Sequence, residues 1–153
     1  MVVQKTNFGE RLAEEAQRWV RLNVPFAFRG HTTRGCDCGG FLVGLINGVC
    51  QQDHKVPSYT RDWNLHKGNS NVLLDEVYKY GVEKSKENLQ IGNILIFEFG
   101  RYQSHLGIYI GQYRFIHCHE MAKKCCIDIL INSTWEKRLR KVFRLDESKL
   151  TKI

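Results

Sequence analysis

The sequence predicts an α+β fold, with N-terminal helices packed on an antiparallel β-sheet of about five strands, in a single domain covering residues 1–153. Three observations carry this. Apolar residues in the first third recur at helical spacing. From Leu89 onward the apolar period shortens to two, the period of a strand with one face buried. Short turn sequences separate those alternating runs, as in hairpins. Helices first and an antiparallel sheet afterwards is the α+β order.

The elements follow in chain order. Phe8, Leu12, Ala16, Trp19 and Val20 form one helical stripe over residues 7–23. Asn7 followed by Glu10 resembles a capping box, and Pro25 lies just past the helix end. Residues 29–35 read as a polar loop. Cys38 to about Val49 reads as a second helix, apolar on most sides. Gly39, Gly40, Gly44 and Gly48 weaken it by roughly 1 kcal/mol each relative to alanine, so they imply close backbone approach on a buried helix. Residues 51–70 form a long polar connection containing Pro57, Tyr59 and Trp63, a length expected of a segment bordering a cleft. A short helix through Leu73, Leu74, Val77 and Tyr78 ends at Gly81. Strands are expected at Ile94–Phe99, Leu106–Ile110, Arg114–Cys118, Cys125–Ile131 and Val142–Arg144, with turns at Gly100–Gln103 and Gly111–Gln112.

Composition narrows the function classes. No segment reaches the roughly 20 apolar residues of a membrane span, and Glu10, Glu14 and Glu15 interrupt any signal-peptide pattern near the N-terminus. The reading is a chain synthesised in the cytoplasm and carried elsewhere, if at all, by another route. The formal charge is +7, and residues 136–153 hold seven basic against three acidic side chains. Such a run faces an anionic partner or is a solvated element end. No aromatic platform or nucleic-acid motif accompanies it, so nucleic acid is not read as the main partner. The six cysteines sit inside apolar patterns, and most read as small buried hydrophobes rather than disulfides.

Chemistry concentrates at three residues. Cys38 stands at the expected N-terminus of the glycine-rich helix, where unpaired N–H groups and the helix dipole favour a thiolate and can receive an oxyanion. His105 opens one strand and His117 closes the next. Antiparallel pairing brings them together, and their even spacing puts both on one sheet face. A cysteine facing a histidine that a second polar residue orients suits nucleophilic catalysis at an amide. A lone cysteine or strand histidine is ordinarily inert, and this weighs against the reading. A structural zinc site is the rival, from Cys36 and Cys38, His117-Cys118-His119 and Cys125-Cys126. The single-residue spacings are shorter than in common zinc modules, and strand alternation sends neighbours to opposite faces. Neither metal nor cofactor is therefore expected.

These residues carry a family resemblance. Asp37-Cys38-Gly39-Gly40-Phe41 resembles the nucleophile signature of NlpC-type cell-wall peptidases, and His105-Leu106-Gly107-Ile108-Tyr109 resembles their histidine strand. Phe115-Ile116-His117 is similar to the strand bearing their third polar residue, and Gly92-Asn93 to the Gly-Asp before the first strand. The segments Val24-Pro25-Phe26, Gly35 to Cys38, Val56 to Trp63 and Trp135 to Arg138 look closest to a branch encoded with phage and gene-transfer-agent tails. The resemblance implies a papain-like fold and hydrolysis of peptidoglycan stem peptides, commonly at the D-glutamyl–diamino acid bond. It implies Cys38 as nucleophile, His105 as base, His117 as its orienting partner, and substrate-facing positions at Phe26, Asp37, Gly39, Ser104 and Trp63. It also implies delivery by a tail-like particle. The other readings are a structural component of such a particle and a hydrolase of a different amide.

Three positions depart from the family pattern. Phe26 replaces a common tyrosine, Gly39 a serine or alanine, and Asn93 an aspartate. Cys36, two residues from the nucleophile, suggests oxidation to a Cys36–Cys38 pair as an off state.

Overall fold

The computed structural model describes residues 7–55, 72–99 and 102–150. Helix α1 (Phe8–Arg21) begins as its sequence foretells. The Asn7 side chain accepts from the Glu10 N–H at 2.8 Å and donates to the Glu10 carboxylate at 3.1 Å, a reciprocal cap. The helix buries Leu12, Ala13, Ala16 and Trp19.

Beyond α1 the chain threads between two strands that come later. Pro25 bridges Lys124, and Phe26 bridges Cys36. The expected polar loop contains a small hairpin, β1 (His31–Thr32) and β2 (Gly35–Cys36). Two residues per strand is too short for any apolar alternation to show. Helix α2 (Cys38–Cys50) follows at once. Its glycines serve the close approach anticipated for them: a Cβ on Gly40 falls 1.7 Å from the Gly30 carbonyl oxygen, and one on Gly44 falls 2.4 Å from the Trp19 ring. The ring of Trp19 meets Phe41 edge-on at 5.7 Å between centroids, a contact type that adds about 1 kcal/mol beyond its buried area.

Helix α3 (Val72–Tyr80) leads into β3 (Gly81–Lys84), then β4 (Ile94–Phe99), β5 (Tyr102–Gly111), β6 (Arg114–His119), β7 (Lys124–Ile129), the short α4 (Thr134–Arg138), β8 (Leu139–Leu145) and α5 (Glu147–Leu150). Among the described residues the main sheet has six strands, not about five, in the order β3-β8-β4-β5-β6-β7, and every pairing is antiparallel. The extra strand is β3, in which Val82 and Glu83 are both exposed, so no alternation announces it. The β5–β6 turn is Gln112-Tyr113, with φ of 55° and 58°. That is one residue later than expected, and left-handed without glycine.

Two cores sandwich the sheet. Leu106, Ile108, Ile116, Ile94 and Ile96 join the buried faces of α1 and α2. Leu95, Phe97, Phe115, Leu130, Leu139 and Val142 form a second cluster, with Trp135 against it. The basic C-terminal run is largely matched by neighbours: Arg140 pairs with Glu98, Lys141 with Glu83 at 3.2 Å, and Lys149 donates to the Gly81 carbonyl at 3.2 Å. Its structural reading is a solvated, ion-paired strand.

Candidate active site

Cys38 is the first residue of α2, and Asp37 is its cap. The buried Asp37 carboxylate accepts from the Gly40 N–H at 2.8 Å with one oxygen and from the Arg29 N–H at 2.9 Å with the other. One side chain thus fixes both the helix start and the loop before it. The backbone N–H groups of Gly39 and Cys38 donate toward the Cys38 sulfur and favour its thiolate. Burial and the Asp37 charge oppose them and prevail, so the thiol is held well above its ordinary pKa. The direction is opposite to the one expected from the helix terminus alone. Cys38 nevertheless keeps some surface open to solvent.

The histidines form a relay. His105 Nε2 lies 2.7 Å from His117 Nδ1, and His117 Nε2 lies 2.7 Å from a carboxylate oxygen of Asp128. An ionised carboxylate only accepts, so His117 donates from Nε2 and must accept at Nδ1. His105 then donates from Nε2 and keeps Nδ1 unprotonated. Asp128 therefore sets the tautomer of an imidazole it does not touch.

Burial, with lesser contributions from His117 and His119, pushes His105 well below the usual imidazole value. His117 is fully buried and lowered to about 4, again mainly by burial, with the Asp128 bond and charge pulling the other way. Trp135 covers the group, its ring centroid 5.2 Å from His105, 4.9 Å from His117 and 5.2 Å from His119. Phe97 and Phe115 complete the apolar wall at 6.0 Å from His105 and 4.7 Å from His117.

A second group of sulfurs ties the start of α2 to this sheet region. The Cys118 thiol donates to the Cys36 carbonyl at 3.0 Å, and the Cys36 and Cys125 sulfurs are 3.6 Å apart. Cys36 is two residues from Cys38, and Cys118 is next to His117. The Cys36 sulfur thus has the sulfurs of Cys125 and Cys118 beside it. Two triplets bring ligand atoms within 4.8 Å of one another: Cys36, Cys118 and Cys125, and His117, Cys126 and Asp128. The spacing argument against metal missed both, because each triplet assembles across strands rather than along one.

A sequence profile of the NlpC/P60 family matches residues 23–144. The chain belongs to the NlpC/P60 family. It is 24% identical over 144 residues to a murein DD-endopeptidase/LD-carboxypeptidase of Escherichia coli, MepS, covering 94% of this chain and 66% of that protein. The chain therefore spans slightly under two thirds of that relative's length. The solved NlpC/P60 domain of the peptidoglycan hydrolase SagA superposes with a TM-score of 0.64 at 17% identity, over 91% of this chain and 99% of that one. RipD of Mycobacterium tuberculosis, described as a non-catalytic NlpC/P60 domain protein adapted to peptidoglycan binding, superposes at 0.56 and 13% identity, over 93% and 98%. At these identities the structures establish the NlpC/P60 fold, in agreement with the α+β reading.

Of the residues singled out from the sequence, Cys38 heads the central helix of this NlpC/P60 domain, and His105 and His117 are joined by a hydrogen bond. Phe26 is half-buried beside Cys36. Among the described residues, a Cβ on Gly39 would meet Leu73 at an ordinary 3.6 Å. Asn93 is buried and accepts from Gln90 N–H and Lys84 Nζ. Trp63 and the Ser104 side chain lie outside the described residues. Asp128 and Trp135 went unrecognised as site residues. The register His117↔Cys126 brings Asp128 into reach, but fixing that register from sequence needs the length of the intervening turn.

Proposed function

We propose that the protein is a cysteine peptidase hydrolysing amide bonds in peptidoglycan stem peptides, with Cys38 as nucleophile and His105 as general base and acid. The observation that carries it is the His105–His117–Asp128 relay, which keeps the His105 proton on Nε2 and makes Nδ1 the basic nitrogen. Burial raises the thiol and lowers the imidazole, which favours the neutral pair over the ion pair. Proton transfer from Cys38 Sγ to His105 Nδ1 therefore accompanies sulfur attack on the carbonyl carbon. The N–H groups at the start of α2 stabilise the resulting oxyanion. The C–N bond breaks as His105 returns the proton to the departing amine, leaving a thioester on Cys38. His105 then takes a proton from water, whose oxygen attacks the thioester, and the thiol is regenerated. His117 holds the imidazole in orientation throughout. Phe26 and Gly39 border the stem peptide, while Asp37 acts by fixing the helix start.

The D-glutamyl–diamino acid bond is the favoured scissile bond from the family resemblance; the Escherichia coli relative is named for a DD-endopeptidase and LD-carboxypeptidase activity instead. The test is digestion of purified peptidoglycan by wild type beside Cys38→Ala, with fragments identified by mass spectrometry. Stem-peptide fragments from wild type alone are expected, and their termini name the bond. Equal fragments from both proteins, or none from folded wild type, reject the reading. The rejected case leaves a binding role of the kind ascribed to RipD. Delivery by a tail-like particle rests on the sequence resemblance of residues 24–26, 35–38, 56–63 and 135–138, and its test is finding the protein in purified particles.

A further inference from the structure

The geometry points to a binding site for one borderline divalent metal ion, Zn2+ being the type, formed by His117, Cys126 and Asp128, whose occupation switches off the histidine relay. Its inhibitory half rests on the peptidase reading above; its binding half does not.

The three side chains stand together because β6 and β7 pair antiparallel with His117 opposite Cys126. Asp128, two residues further along β7, returns to the same sheet face. One ligand atom from each lies within 4.8 Å of the other two. Tetrahedral zinc, with bonds of about 2.0–2.3 Å, needs its ligand atoms about 3.3–3.8 Å apart, so small side-chain rotations suffice. Cys126 and Asp128 are half-buried on the edge strand, which gives an ion a path from solvent and leaves a fourth position for water. The charges suit the ion as well. One thiolate, one carboxylate and a neutral imidazole cancel a 2+ charge. The rival triplet Cys36, Cys118 and Cys125 is fully enclosed, and three thiolates around the same ion leave one uncompensated negative charge in an apolar core, which is costly.

The effect on catalysis follows from proton positions. His117 Nδ1 faces His105, so the metal takes Nε2, the atom now donating to Asp128. The His117 proton must then reside on Nδ1. His105 Nε2, facing that proton, becomes the acceptor, and its own proton moves to Nδ1. The base then has no lone pair for the Cys38 proton. Both imidazoles stay neutral through this exchange of tautomers, and the proton released to solvent is that of the Cys126 thiol.

The test uses the Cys38→Ala protein, which removes the nucleophile as a competing ligand, titrated with Co2+ and Zn2+. One equivalent of Co2+ is expected to bind with a thiolate-to-cobalt charge-transfer band in the near ultraviolet. Adding Cys126→Ser should abolish the band, and adding Cys36→Ser should leave it. Absence of the band, its survival with Cys126→Ser, or its loss with Cys36→Ser overturns the site. In the wild type, Zn2+ should inhibit peptide release reversibly to chelator, and Cys126→Ser should raise the inhibiting concentration about 10- to 100-fold. An unchanged inhibiting concentration overturns the switch. A protein that binds cobalt as described but digests no peptidoglycan loses the peptidase reading and keeps the site.

Discussion

His117 uses both ring nitrogens, and this makes Asp128 matter at a distance from the sulfur. Replacing the carboxylate by an amide in Asp128→Asn keeps the shape but offers an N–H to His117 as readily as an oxygen. The relay then loses its fixed sense, and His105 spends part of its time with the proton on the wrong nitrogen. The expected result is a fall in kcat of about 10- to 100-fold, the usual scale for a partner that orients a functional histidine, with KM little changed and partial recovery in Asp128→Glu. Steady-state kinetics on a soluble stem peptide measures it, and an unaltered kcat removes Asp128 from the relay. Residue type and chain order made Cys38, His105 and His117 legible in the sequence. Asp128 was not, because an aspartate in an edge strand looks like any solvated charge until the register of β6 and β7 is known. The thiol's raised pKa was equally hidden, since a helix terminus is visible in sequence and the density of protein around it is not.

At the scale of the element, α2 is the piece whose sequence is most constrained. Its first turn presses on the loop carbonyl of Gly30, and a Cβ at Gly40 would overlap that oxygen. Gly40→Ala is expected to cost about 1–3 kcal/mol, the range for forcing extra volume into a packed site. Gly39→Ala, with ordinary contact distance around its Cβ, should leave stability unchanged or slightly raised. Urea unfolding of the two variants decides it, and equal midpoints would contradict the packing described. Glycine density and apolar composition already announced α2 as a buried helix, and β4 (Ile94–Phe99) matched its alternating run residue for residue. The β1–β2 hairpin and β3 were not legible, for the same reason in different form. Each is held by partners far along the chain or across a tight turn, and neither has an apolar face of its own to display.

Across the whole molecule, the enclosed histidines connect stability to pH. In the unfolded chain they take up protons near pH 6.5, whereas in the folded protein His117 resists until about 4 and His105 until well below its ordinary value. Above pH 6.5 neither state is charged at these sites, and they leave stability unaffected. As pH falls from 6.5 toward 4 the unfolded state binds protons that the folded state does not, so stability is lost. At the 1.36 kcal/mol that each pKa unit represents, the His117 share approaches about 3 kcal/mol. Urea midpoints at pH 7, 5.5 and 4 should therefore fall steadily, and a flat profile is incompatible with neutral buried imidazoles. The α+β class and the division into helices and sheet were readable from hydrophobic period alone. The six-stranded order was not, because β8 inserts between β3 and β4, joining chain segments more than forty residues apart.

That insertion has a consequence for how the chain is made. A ribosome releases α1 and α2 early, then β4 through β7 as successive neighbours that can pair as they emerge. The strand that belongs between β3 and β4 comes last, at Leu139–Leu145. Until it arrives, both of those strands present bare edges, and the sheet that supports the histidines is split in two. The nascent chain therefore carries Cys38, His105 and His117 before it carries a closed sheet, and the support around the histidines is completed only once residues 139–145 have emerged.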